Sequence, residues 1–190
     1  VSAERVGEDY RGGKDVDNAM FMETFGINGI TYGNWVAGPE RQAKLNATYD
    51  AFMDLANLLG VPPRVISLNG ELGIQFGASG RGTAMAHYRH DDVSINLTRK
   101  LGSGSLAHEW FHALDNYFQR RTGRPLEMSS DHIRSGVGAM GMNDQAAEAF
   151  VDLVRAIRNS DYKTRSGRMP GKPGYWDSTV ELMARAFQVY

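Results

Sequence analysis

The chain has 190 residues, of which 42% are hydrophobic, with a formal charge of −1 and no cysteine. That length suits one domain with a sizeable core, or at most two intimate lobes. The near-neutral balance and a pI near 6.6 argue against a dedicated nucleic-acid binder, and the absence of thiols excludes disulfides, thiolate metal sites and cysteine nucleophiles. Any metal in this chain must be held by His, Asp or Glu. No stretch approaches the roughly 18 apolar residues of a membrane span, and the amino terminus lacks a basic region followed by an apolar core. The expectation is a cytoplasmic protein with no membrane partner, and the initial Val1 in place of Met suggests a piece of a longer parent protein.

In chain order, residues 1–18 are polar and glycine-bearing and read as an irregular lead-in. Phe21 to Trp35 is aromatic and punctuated by glycines, which predicts a short helix and a strand joined by tight turns. Pro39 fits the first turn of a helix whose apolar face is Leu45, Tyr49, Phe52, Leu55, Ala56 and Leu59, ending at Gly60 and Pro62-Pro63. From Arg64 to Thr98 the pattern changes to short β-branched and aromatic runs at Val65–Leu68, Gly73–Phe76, Ala84–Tyr88 and Val93–Leu97, with turn chemistry at Asn69-Gly70 and His90–Asp92. A small, mostly antiparallel sheet is predicted, with Val93–Leu97 as an edge onto which an extended peptide adds. Gly77–Gly82 resembles a phosphate cradle, but no Lys-Ser/Thr follows and no helix opens behind it, so it reads as a hairpin turn.

His108-Glu109-Trp110-Phe111-His112 carries the chemistry. On a helix, residues four apart lie one turn apart on the same face, so both imidazoles can reach one ion. Glu109 stands about 100° around the axis, where its carboxylate serves a water and not the metal. With 5 histidines in 190 residues, such a match arises by chance in fewer than about one in a hundred chains. Ser103 or Ser105 offers an N-cap, and Leu106, Trp110, Ala113, Leu114 and Tyr117 recur at helical spacing until Gly123. After a polar, Gly-rich loop, a helix is expected near Asp144 to Arg158 with Phe150, Leu153, Val154 and Ile157 inward and Glu148 and Asp152 solvated. Ser160 to Asp177, rich in Gly, Pro and basic residues, reads as a mobile loop, and a last helix runs from Ser178 to Tyr190. The basic clusters at Arg120, Arg121 and Arg124 and from Arg155 to Lys172 read as solvated surface, with nucleic-acid contact through the basic loop as an alternative.

A catalytic zinc site usually takes three protein ligands, so the motif requires one more. The metzincin extension places a histidine six residues beyond the motif, where this chain has Phe118. Glu181 is the preferred third ligand, because its helix is apolar nearly all round and a buried carboxylate needs a cation; small Ala184 would let that helix approach closely. Asp115 and His132 are the alternatives. Two competing readings of Glu181 are a capping box with Ser178 and an i,i+4 ion pair with Arg185. Asp115, one turn beyond His112, is expected to orient a ligand imidazole from behind. His87, Tyr88, Tyr175 and Arg185 are candidates to stabilise an oxyanion. The expected chemistry is peptide-bond hydrolysis with one zinc per chain and Glu109 as general base. Two other classes remain: a non-catalytic, zinc-stabilised module, and a nucleic-acid-associated module.

Further motifs add a family resemblance. Phe25-Gly26-Ile27, Tyr32-Gly33-Asn34-Trp35, Glu40-Arg41-Gln42 with Leu45-Asn46, Ser67–Gly73, Ala86-His87-Tyr88, Ile95–Thr98 and Ser105–Tyr117 together resemble the first of the large polyvalent-protein-associated domains, found within very long proteins of phages and conjugative elements. The resemblance runs from about Arg11 to Tyr190. It implies an α+β, zincin-like metallopeptidase module, with a helical carboxyl-terminal lobe supplying Glu181, acting on a peptide or protein inside a bacterial host cell. It also implies the rest of a larger parent protein as partner. A narrower similarity to gluzincins covers His108, Glu109, His112 and Glu181. Thermolysin-like gluzincins carry an Asp four residues after the ligand Glu, where Arg185 stands here. On this reading residues 19–123 form a sheet-containing lobe with the metal helix, and residues 124–190 a helical lobe.

Overall fold

The computed structural model describes residues 5–33, 38–77, 86–98, 105–135 and 141–189. The chain divides into two compact units, Val1–Leu106 and Ala107–Tyr190. The division falls just before His108 and not at 123/124, so both histidines of the motif belong with the helices that follow them.

In the first unit, Asp17 starts helix α1 (Asn18–Phe25) by accepting the Met20 N–H at 2.7 Å, and Gly26 ends it in the left-handed conformation at φ 68°. Strand β1 (Ile30–Tyr32) follows, then the long helix α2 (Gly38–Leu59), with Pro39 in its first turn as expected. Leu45, Tyr49, Phe52, Leu55 and Ala56 of α2 are buried, and Phe21, Phe25, Tyr49 and Phe52 form one aromatic group with centroids 5.0–6.0 Å apart. Each fully buried phenylalanine contributes about 1.5–3 kcal/mol of transfer free energy. The irregular lead-in is tied down: Arg11 meets Asp50 at 2.9 Å and Arg5 meets Asp54 at 2.6 Å, two acids one turn apart on α2.

Val65–Leu68 is not a strand. Residues Pro63–Ser67 form a 3-10 turn, because Pro62-Pro63 pre-sets φ near −65° and the following Leu68, Asn69 and Gly70 all take positive φ. Strands β2 (Gly73–Phe76), β3 (Ala86–Arg89) and β4 (Ser94–Leu97) complete a sheet of order β1-β2-β4-β3. The sheet is mixed and not mostly antiparallel: β1 and β4 both run parallel to β2, and β3 runs antiparallel to β4. The chain crosses from β1 to β2 through α2, as parallel strands require. It then places β4 between β2 and β3, so β4 is a central, wholly buried strand and the edges are β1 and β3. The Gly77–Gly82 turn lies mostly outside the described residues.

The second unit contains nearly all of α3 (Ser105–Arg120), then α4 (Ser129–Arg134), α5 (Asp144–Arg158), α6 (Asp161–Ser166) and α7 (Thr179–Val189). Its core joins Phe111 of α3, Val154 of α5 and Met183 and Ala184 of α7, ringed by Ile133, Phe150, Ile157 and Phe187. Phe111 stacks on Phe150 at 6.2 Å and meets Phe187 at 5.1 Å. Truncating such a buried aromatic costs about 3–5 kcal/mol. Glu148 and Asp152 are solvated as expected, whereas Leu153 faces out, 45% exposed. Residues 160–177 are not a structureless loop, since α6 and a series of turns occupy them. No helix among the described residues is long and apolar enough to cross a membrane.

Candidate metal centre

Helix α3 carries His108 and His112 on one face, and the packing of Phe111 against Ala184 and Phe187 brings Glu181, in the first turn of α7, to both rings. The His108 and His112 Nε2 atoms are 3.0 Å apart. Glu181 Oε2 is 3.5 Å from His108 Nε2, and Oε1 is 3.5 Å from His112 Nε2. His112 and Glu181 are buried, and the three residues form a group able to hold a metal ion. Zinc bonds of about 2.0–2.2 Å in tetrahedral array separate neighbouring donors by about 3.3–3.5 Å. The 3.0 Å between the two Nε2 atoms is within a few tenths of an ångström of that spacing, Glu181 sets a different oxygen 3.5 Å from each ring, and one donor atom from each of the three residues lies within 4.8 Å of the others. Glu181 Oε2 is also buried without a hydrogen-bond partner, as expected of a carboxylate oxygen made for a cation.

Electrostatics bind the trio together. Burial alone would raise Glu181, but its contacts with His108 and His112 and their charge hold it well below the usual carboxylate range. Burial by itself would lower His112; Glu181 and the nearby Glu109 raise it instead. Glu109, beside His108 on α3 and buried, thus acts electrostatically on this ring and also on the Tyr175 phenol.

Both competing readings of Glu181 are decided by contacts. Arg185 does not pair with its carboxylate; the Arg185 Nε–H donates to the Glu181 carbonyl oxygen at 3.3 Å. Half of the capping box forms, with the Glu181 N–H reaching Ser178 Oγ at 3.4 Å, while the carboxylate itself turns to the histidines. His132 stands elsewhere, between Arg124 at 3.2 Å and Glu127.

Asp115 does not orient a ligand imidazole. It is wholly buried and accepts the Ser130 N–H at 2.9 Å and the Ser130 hydroxyl at 2.6 Å, which ties α3 to α4. The Nδ1 atoms of His108 and His112 are buried without a hydrogen-bond partner. The apolar packing of α3, and not an outer carboxylate, therefore aims the rings. Burial pushes Asp115 up to about 6 against the lowering effect of Ser130. The same polar seam includes Asn116, which donates to Pro125 O at 3.0 Å and Glu127 O at 2.7 Å, and Gln119, which donates to Ser129 Oγ at 3.1 Å. The sequence reading missed this seam; its signal was three amide or acid residues crowded into the second half of an otherwise apolar helix.

Of the oxyanion candidates, His87 and Tyr88 lie on β3 of the first unit. Arg185 is committed to backbone oxygens and to the Trp176 ring. Burial, followed by the negative charge of Glu181, pushes the Tyr175 hydroxyl up to about 12. In the basic segment, Arg158 donates to Thr179 Oγ1 at 2.7 Å and Arg155 meets Asp152 at 3.7 Å on the exposed surface.

No family model, no curated protein and no solved structure matches this chain.

Proposed function

We propose that this protein is a zincin-like, zinc-dependent metallopeptidase, in which His108, His112 and Glu181 hold one zinc ion and Glu109 is the general base. The carrying observation is the trio His108, His112 and Glu181, assembled from two helices with one donor atom from each within 4.8 Å of the others and the Glu181 carboxylate buried between the rings. A zinc ion held there supplies Lewis acidity and brings a water's pKa toward about 7. Glu109 takes a proton from the attacking water and returns it to the leaving amine, so that one water and one peptide bond become a carboxylic acid and an amine. Tyr175 keeps its proton at neutral pH and offers an O–H to the developing oxyanion.

Structural zinc sites close with four protein ligands, whereas among the described residues three donors meet here, which favours a catalytic site with room for substrate. The resemblance to the first large polyvalent-protein-associated domain supports the same reading and implies an activity inside a bacterial cell, within a larger protein of a phage or conjugative element. A broad peptide-library digest tests it. Cleavage should disappear on chelation and return with added zinc; cleavage that survives complete removal of metal would overturn the assignment.

A further inference from the structure

Residues 155–172 concentrate positive charge. The stretch holds Arg155, Arg158, Lys163, Arg165, Arg168 and Lys172 against a single acid, Asp161, in a chain whose formal charge is −1. Arg155 meets Asp152, and Arg158 is used on Thr179. Arg165, Arg168 and Lys172 are exposed and, like the half-buried Lys163, make no ion pair or side-chain hydrogen bond among the described residues. Arg5, Arg11, Arg89 and Arg134, by contrast, each meet an aspartate. The Arg168 N–H donates to the Arg165 carbonyl oxygen at 3.2 Å, so these two side chains leave the backbone one turn apart, where like charges repel. No internal acid relieves that repulsion, which leaves the cations to an anion from outside.

The same segment is fastened to the helix that carries the third metal ligand. The Trp176 indole N–H donates to Pro170 O at 2.9 Å, and Tyr175 packs edge-on against that indole at 4.8 Å. Arg185 of α7 donates to Trp176 O, contacts Met169 Sδ at 3.4 Å, and donates through Nε to Glu181 O at 3.3 Å. One guanidinium therefore links the residue next to Arg168 with the backbone of Glu181.

Resting on the peptidase reading, we propose that Arg165, Arg168 and Lys172 select acidic substrates, peptides with Asp or Glu within about five residues of the scissile bond. An extended peptide advances about 3.3 Å per residue, so five residues from Glu181 cover more than the span that Arg185 bridges. A nucleic-acid footprint of about 6–10 phosphate contacts exceeds what four unpaired cations supply, whereas a short acidic peptide matches them.

The test starts from a neutral peptide that the zinc-loaded wild type cleaves, remade with two Glu or two Lys placed three to five residues to either side of the scissile bond. Wild type and the triple variant Arg165→Glu, Arg168→Glu, Lys172→Glu are compared on all of them. Exposed ion pairs are individually weak, so three acting on one peptide should favour a Glu peptide over the neutral one by about tenfold, in KM and not in kcat. That advantage should shrink as salt shortens the range of the charges. The triple variant should cleave the neutral peptide as the wild type does and prefer Lys peptides. Equal cleavage of Glu and neutral peptides by the wild type, a preference untouched by salt, or one untouched by charge reversal would each overturn the proposal while leaving the peptidase standing. So would a single-stranded oligonucleotide that binds the wild type more tightly than a Glu peptide of equal charge and loses that binding in the triple variant. A zinc-loaded wild type that cleaves no peptide would overturn both readings. The salt series on the wild type decides the matter even if the triple variant unfolds.

Discussion

Replacing Asp115 by Asn should remove a pH dependence of stability that the buried carboxylate imposes. Asp115 is fully buried between α3 and α4, and its pKa rises from 3.8 to about 6 in the folded protein. Between those values the native state holds a proton that the unfolded chain has released, so stability falls as pH rises. The shift is about 2 units, and at 1.36 kcal/mol per unit Asp115 costs the native state about 3 kcal/mol at pH 7 relative to pH 3. The two Ser130 hydrogen bonds favour the ionised form but do not outweigh burial. Urea unfolding of the wild type and Asp115→Asn in chelator, from pH 3.5 to 7.5, isolates the effect from metal binding. Loss of a hydrogen bond in the variant is a constant offset; the difference between the curves should grow in favour of the variant by about 2–3 kcal/mol between pH 4 and 7. A difference that stays constant, or grows the other way, would refute a protonated, buried Asp115.

Glu181→Gln should weaken zinc binding about 100–1,000-fold, since structural zinc sites of four ligands give about 10–16 kcal/mol in total, or about 2.5–4 kcal/mol per ligand; chelator competition measures it. Because Glu181 raises His112, the same substitution should move the acid loss of zinc binding to lower pH, where protons begin to compete for a ring no longer supported by a carboxylate. Gly141→Ala should destabilise the second unit by about 2 kcal/mol or more, because the left-handed backbone alone costs about 1–2 kcal/mol and the clash adds to it. At φ 77° its Cβ would stand 2.2 Å from the Phe118 carbonyl oxygen, and thermal unfolding with chelator present reads the loss.

The helices were legible because their apolar periodicity coincides with the packing that fixes them, as in Leu45 to Ala56 of α2 and Val154 of α5. The sheet was less so. β2, β3 and β4 have only four residues each, and neither parallel pairing nor the insertion of β4 between β2 and β3 leaves a mark on such short runs. Leu153 has the same composition signal as Val154 one residue on, yet the unit gives the inward position to Val154 alone. At the site, the His108–His112 spacing fixes two donors by helix geometry, and Glu181 was traceable as a charge within an apolar stripe. Asp115 shared the histidine stripe but is captured by Ser130, fifteen residues on, a contact set by the turn into α4 that no local pattern encodes. Tyr175 was one aromatic among several until Arg185 and Trp176 were seen to hold it.

The most direct test of the central claim is elemental zinc analysis of the wild type and Glu109→Gln alongside a peptide-library digest of both. The account predicts one zinc per chain in each protein and cleavage by the wild type alone, because Glu109 moves the proton without holding the metal. A wild type without zinc, or a Glu109→Gln variant that cleaves as well as the wild type, would contradict it.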